Sequence, residues 1–248
     1  MKSTIRHLVI TTVLLSANAT FASDLAGMFN AGKDAAKALT LTDKEIMDGS
    51  RQMMLQMDKG GNVAPASNKY GKRLAMLTSK FGTVDGMKLN FKAYQSANVN
   101  AFATPDGSIR VYSGLMDILT DDELRGVIGH EIGHVKLGHS KSQMQKSLML
   151  SAGTKAAAAS GNGNVATVAV IGGDSLKAFA NAQFSQSDET SSDDYGFKFM
   201  KTNKFDVTAM ESAFRKLAKL SSGEHSMMST HPDSSGRADR MKSKAEEK

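Results

Sequence analysis

Along the chain, apolar residues recur at the three- and four-residue spacing of an amphipathic helix in four stretches, and they alternate with polar residues in one short region. Thr42 and Glu45 form a capping box, so a helix is predicted from there to about Met57, with Ile46, Met53, Met54 and Met57 apolar and Gly60-Gly61 as its stop. A second helical stretch covers Asn68 to Lys80. A third opens with the capping box Thr120-Asp121-Asp122-Glu123 and carries the stripe Leu124, Val127, Ile128, Ile132 and Val135. In the fourth, Met210, Phe214, Leu217 and Leu220 share a face, and the chain from there to Met241 reads as loop.

Strand signals lie between the second and third helices. Leu89, Phe91 and Ala93 alternate with Lys88, Asn90 and Lys92; Asn98 to Ala103 follows, then the turn Thr104-Pro105-Asp106-Gly107 and Ile109 to Tyr112. This pattern predicts a small, largely antiparallel sheet directly before the third helix. Ser147 to Ala182 is rich in Ala, Gly and Ser. Its apolar stretch Val165 to Ile171 is too short for a membrane span and is cut by Gly172-Gly173, so the segment reads equally as a cover over a site or as a packed helix pair. There is no internal repeat.

The first residues alter the compartment rather than the fold. Lys2 and Arg6 precede the apolar run Leu8 to Leu15, and Thr20-Phe21-Ala22 places small residues where a signal peptidase reads, so Met1 to Ala22 is expected to be a removed leader, with a cut after Ala19 as the alternative. The run is too short to anchor the chain in a bilayer. Residues 23–248 are then expected to form a single exported domain, with its core at about 67–241. The chain has no cysteine, which excludes disulfides, a lipid-modified cysteine and thiolate metal sites. An exported chain without disulfides points to a bacterial periplasm. Without the leader, 29 Lys+Arg stand against 25 Asp+Glu. These charges are scattered and not interleaved with aromatics, so no nucleic-acid surface is expected.

The chemistry sits in the third helix, at His130-Glu131-Ile132-Gly133-His134. At roughly 100° per residue, positions four apart lie about 40° from each other on a helix, so both imidazoles can reach one metal ion while Glu131 points to the side where an activated water would lie. This is the zincin arrangement. With 6 His and 8 Glu in 248 residues, chance would produce it about 0.005 times per chain. A hydrolytic zinc site takes three protein ligands. His139, about 140° round the helix from His134, is misplaced to be the third, and the metzincin pattern would need its histidine at Ser140. His139 is therefore expected at the surface or behind a ligand. Glu189 is the better candidate. Glu189 and Asp193 are four apart, so one carboxylate could bind metal while the other accepts the free N–H of a ligand histidine; Asp188 and Asp194 are close rivals.

Asn100-Ala101-Phe102, Gly114-Leu115, His130 to His134, Glu189 to Asp193, and His231-Pro232 with Arg237 occur in this order. In these motifs the chain resembles the HtpX-like and CAAX-prenyl-endopeptidase gluzincin metallopeptidases over roughly Ser67 to Met241, most of all their small soluble periplasmic branch. The resemblance implies an α+β, mainly helical zincin-type fold with its small sheet beside the H-E-x-x-H helix. It implies one Zn2+ per chain on His130, His134 and Glu189, with Glu131 as general base, Asp193 behind a ligand, and His231 supporting the oxyanion with Arg237 nearby. Asn100 and Ala101 would meet an extended substrate along a strand edge. The expected function is zinc-dependent endopeptidase action on misfolded or unassembled cell-envelope proteins; the alternative is a periplasmic chaperone or assembly factor with low or gated proteolysis. Pro105-Asp106-Gly107 replaces a Pro-Gly-Gly common in the family. The anchoring cysteine of the lipoprotein members is absent.

Overall fold

Helices begin at the capping residues in the structure, a computed structural model that describes residues 41–158, 179, 182–220, 227–231 and 234–247. The expected leader, residues 159–178 of the Ala/Gly/Ser-rich segment, and Pro232 lie outside the described residues. The chain divides into two units, residues 42–144 with 179–248 and residues 1–41 with 145–178. Apart from the far end of the helix that starts at His139, everything below concerns the first.

Thr42 and Glu45 close a reciprocal capping box on α1 (Asp43–Gly60), and the Asn68 side chain caps α2 (Lys69–Thr78) by accepting from Tyr70 N at 2.9 Å. Two very short strands, β1 (Thr83–Val84) and β2 (Met87–Lys88), form an antiparallel hairpin. The main sheet holds β3 (Asn90–Tyr94), β4 (Ala101–Ala103) and β5 (Ser108–Tyr112) in the order β3-β5-β4. Two of the three ladders are antiparallel, as expected; the third, β3 on β5, is parallel, with Asn90 opposite Ser108 and Tyr94 opposite Tyr112. After β3 the chain does not turn straight back. It runs out to the edge position, forms β4, and returns through the turn at Thr104–Gly107, which drops β5 between its two neighbours.

The central strand is buried from Ser108 to Val111. Ile109 and Val111 pack into the core, while Arg110 turns to α1, where Nε and Nη2 donate to the two Asp58 carboxylate oxygens at 2.9 and 3.0 Å. A bidentate partner is what makes a buried guanidinium tolerable. After β5 follow α3 (Ser113–Ile118), α4 (Asp121–Lys136) and α5 (His139–Ala158), then α6 (Gln186–Thr202), α7 (Thr208–Ala218), α8 (Met227–Thr230) and α9 (Ser234–Glu246). Ile128 and Ile132 of α4 join Ile109, Val111 and Leu115 from the sheet side and Phe199, Met200, Met210 and Phe214 from the helices in one core. The stretch expected to be loop up to Met241 is instead helical at Met227–Thr230 and again from Ser234. The apolar face of the latter helix is only Ala238, Met241 and Ala245, spaced three and four apart among charged residues. Among the described residues no helix is long and apolar enough to cross a membrane.

Candidate metal centre

The site is built where α4 crosses α6. Gly133 makes the close approach possible: a Cβ there would stand 3.1 Å from the Cα and carbonyl oxygen of Ser192. Capping boxes fix both helix starts, Thr120 with Glu123 on α4 and Ser185 with Asp188 on α6. With the axes this close, His130 and His134 of α4 face Glu189 and Asp193 of α6 directly, and all four are buried.

Asp193 sets the orientation of the first histidine. Its Oδ1 lies 2.9 Å from His130 Nδ1, and Arg237 of α9 holds the same carboxylate through Nε to Oδ2 at 2.9 Å and Nη2 to Oδ1 at 2.7 Å. With the Nδ1 proton given to Asp193, His130 Nε2 carries a lone pair. That lone pair faces His134 Nε2 at 2.9 Å and His231 Nδ1 at 3.3 Å. Glu189 Oε1 completes the set, 3.3 Å from His134 Nε2 and 2.8 Å from His231 Nδ1. One donor atom from each of His130, His134, Glu189 and His231 lies within 4.8 Å of all the others. Tetrahedral zinc with bonds of about 2.0–2.1 Å separates its donors by about 3.3 Å, so the spacings fit one such ion. Donor atoms of one carboxylate and three imidazoles converging in this way are compatible with a cation site.

The ionisation states follow from burial and partners. Burial raises the Glu189 carboxyl, but the charge of His231 and contacts with His134 outweigh it and hold the group far below the usual carboxylate range. Asp193 is likewise raised by burial and lowered more by His130 and Arg237. Burial presses the His134 imidazole well below its ordinary value, so it stays neutral and able to donate a lone pair. Glu131 differs from the other two carboxylates. It is buried, neither of its oxygens finds a hydrogen-bond partner among the described residues, and burial pushes its carboxyl up. The closest cationic candidate is His231 Nε2, 3.6 Å from Glu131 Oε1.

The acidic rivals separate cleanly. Glu189 enters the cluster, whereas Asp194 points outward to Arg240 at 2.5 Å and to Lys244, and Asp188 lies 3.5 Å from His139. His139 sits behind His134 and outside the donor set. Arg237 also approaches Glu189 Oε2, at 2.5 Å, and rests its guanidinium 4.3 Å from the centre of the Phe214 ring. Two aromatic contacts were not legible beforehand. Phe184 stacks on His134 with ring centroids 3.8 Å apart, and Phe214 underlies Arg237. Phe184 stands alone in a polar stretch with no periodicity to flag it.

On the sheet side a cavity of about 110 Å³ opens beside His231, lined by Asn100, Phe102, Tyr112, Phe179 and Phe184 among others. Asn100 is 8 % exposed, and its Oδ1 has no hydrogen-bond partner among the described residues. In β4, Asn100 O accepts from Tyr112 N and Thr104 N donates to Ser108 O, so the main-chain groups of Ala101 and Ala103 turn away from β5 toward the sheet edge. Ala103 O is taken by Ser140 Oγ at 3.0 Å. Farther along the same edge Val99 O accepts from Met227 N at 2.8 Å.

Comparison with known proteins agrees with the geometry. The model of peptidase family M48 matches residues 65–245. Metalloprotease LoiP of Escherichia coli K12 is 40% identical over 218 residues, 87% of this chain and 86% of that protein. Metalloprotease YcaL of the same organism is 38% identical over 241 residues, 92% and 94% of the two chains. A putative beta-barrel assembly-enhancing protease of Vibrio cholerae is 28% identical over 81% of this chain but only 44% of its own length.

Proposed function

The chain belongs to peptidase family M48 and is a metalloendopeptidase; on that premise we propose that it uses one zinc ion, held by His130, His134 and Glu189, to hydrolyse peptide bonds of misfolded or unassembled cell-envelope proteins. One observation carries the reading. A convergent set of imidazole and carboxylate donor atoms lies beside a buried carboxylate, Glu131, that has no hydrogen-bond partner among the described residues. When bound, zinc supplies Lewis acidity, lowering the pKa of water toward neutrality and polarising a carbonyl. The chain's own residues do the rest. Glu131, its carboxyl pushed up by burial, accepts a proton from the attacking water and delivers it to the leaving amine. His231, whose imidazole is pressed down by burial but raised more by Glu189 and Glu131, donates to the developing oxyanion through Nε2. Asp193 and Arg237 keep His130 in the tautomer that presents Nε2.

Substrate would be held by main-chain pairing. The outward groups of Ala101 on the β4 edge and the unpartnered Asn100 Oδ1 suit an extended, unfolded segment whose side chain enters the cavity beside His231. The leader-like Met1 to Ala22 and the relative named for beta-barrel assembly support an exported protein working on the cell envelope.

A second reading, gated proteolysis, rests on the position of His231. Its Nδ1 lies inside the donor set, where it would compete with water for the metal's fourth place. The segment that carries it also runs along the substrate edge, through Met227 N to Val99 O, and Ala101 is 0% exposed. One displacement of residues 227–231 would therefore free both the metal's fourth place and the Val99 end of the edge. The test compares unfolded casein with a tightly folded protein as substrate for the purified chain, with and without a zinc chelator. Chelator-sensitive cleavage of casein alone is expected. Equal cleavage of the folded protein would remove the preference for misfolded substrates, and no cleavage after zinc loading would leave the gated reading in its place.

A further inference from the structure

The two ligand imidazoles are backed by different chemistry. His130 Nδ1 meets a carboxylate that Arg237 fixes from behind. His134 Nδ1 meets another imidazole: His139 Nδ1, at 3.2 Å, with the ring centroids 5.3 Å apart. A residue five positions along an unbroken helix could not make this contact. The chain makes it by ending α4: Leu137 N closes on Gly133 O, Gly138 N closes on Val135 O, and Gly138 takes φ +79°, a left-handed conformation that suits glycine. The reversal starts α5 at His139 and lays its ring against His134.

Proton counting allows one arrangement. If His134 presents Nε2 to the donor set, its proton is on Nδ1 and must be given to a lone pair. His139 Nδ1 offers that lone pair, which leaves the His139 proton on Nε2. That nitrogen faces Ser191 Oγ at 3.3 Å and Asp188 Oδ1 at 3.5 Å. The buried Ser192 hydroxyl lies beside the same nitrogen, 3.1 Å from His139 Nδ1. His134, His139 and Asp188 thus form a chain of two neutral imidazoles ending on a carboxylate.

We propose that His139 is a positioning residue for the metal, accepting the Nδ1 proton of His134 and so fixing the tautomer and ring angle with which His134 presents Nε2. This rests on the metal-site reading above. The experiment measures zinc affinity by competition with a chromophoric chelator, on the full chain, for wild type and for His139→Leu, His139→Gln and His139→Asn. Leucine removes both nitrogens. A glutamine amide reaches the Nε2 position, and an asparagine amide reaches the Nδ1 position, so only asparagine retains an acceptor for His134. His139→Leu and His139→Gln should bind zinc about tenfold to a hundredfold more weakly, while His139→Asn stays within about threefold of wild type. A packing role would give a different order, because leucine preserves buried volume best. In zinc-loaded protein labelled with 15N at histidine, the His134 Nδ1 proton should give a slowly exchanging signal that persists in His139→Asn and is lost in the other two. Wild-type affinity in all three variants, or an asparagine variant as weak as the leucine one, would overturn the inference and leave the metal site standing. A wild-type chain that binds no zinc would overturn both.

Discussion

Behind the donor set and in front of it, the same fold treats buried polar groups in opposite ways. At the back, Arg237 spends its guanidinium on Asp193 and Glu189 and rests on the Phe214 ring, and Asp193 in turn holds His130. At the front, both Glu131 oxygens and Asn100 Oδ1 are buried without a hydrogen-bond partner among the described residues. An unsatisfied buried acceptor costs about 1–3 kcal/mol. Under the proposed function, the pairing of Asp193 behind and the lack, among the described residues, of a hydrogen-bond partner for Glu131 and Asn100 Oδ1 in front separate two tasks: the back positions the ligands, and the front receives the donors that water and substrate bring.

Each side can be broken independently. The largest effect is expected at the front. Glu131→Gln keeps shape and burial but cannot take a proton, so kcat/KM for casein should fall by about 10²–10⁴ with melting temperature little changed. At the back, Asp193→Ala leaves Arg237 buried with half its partners gone, and urea unfolding should register a loss of about 3–5 kcal/mol. Acid offers a gentler probe of the same group. The folded-state pKa of Asp193 lies below its ordinary 3.8, so its stabilisation is present above that value and disappears as pH falls through the folded value. The chelator-treated wild type should therefore lose stability on acidification below about pH 4, with Asp193→Asn showing a flatter acid limb in the same titration. Asn100→Ala should reverse the pattern of Asp193→Ala: unchanged or slightly raised stability, because an unpaired acceptor is removed, with KM for an extended peptide raised and kcat kept. Asp194→Ala is the smallest. Its partly exposed pairs with Arg240 and Lys244 contribute about 0–1 kcal/mol, and metal content should match wild type, unlike Glu189→Ala.

How much of this was legible depended on whether a feature was local. The capping boxes at Thr42 and Thr120 and the stripe from Leu124 to Val135 are short-range signals, and α1 and α4 start where they predict. The pair Glu189 and Asp193 could be found by four-residue spacing, but choosing Glu189 over Asp188 and Asp194 needed the α4–α6 crossing that Gly133 permits. The parallel pairing of β3 with β5 was not legible, since alternation marks a strand without naming its neighbour. α9 escaped notice because a helix anchored by Ala238, Met241, Ala245 and a buried arginine carries little apolar signal. For His139 the helical wheel is an incomplete guide: it stops at Lys136, and the Gly138 turn decides where the ring goes, behind His134 and outside the donor set.

The most direct test of the division between front and back is the zinc content and casein cleavage of Glu131→Gln, measured on one preparation beside wild type. About one zinc per chain in both proteins, with cleavage by wild type alone, is the result this account predicts. Cleavage retained by Glu131→Gln, or zinc lost from it, would contradict the account, because the group left unpaired at the front would then be either idle or part of what holds the metal.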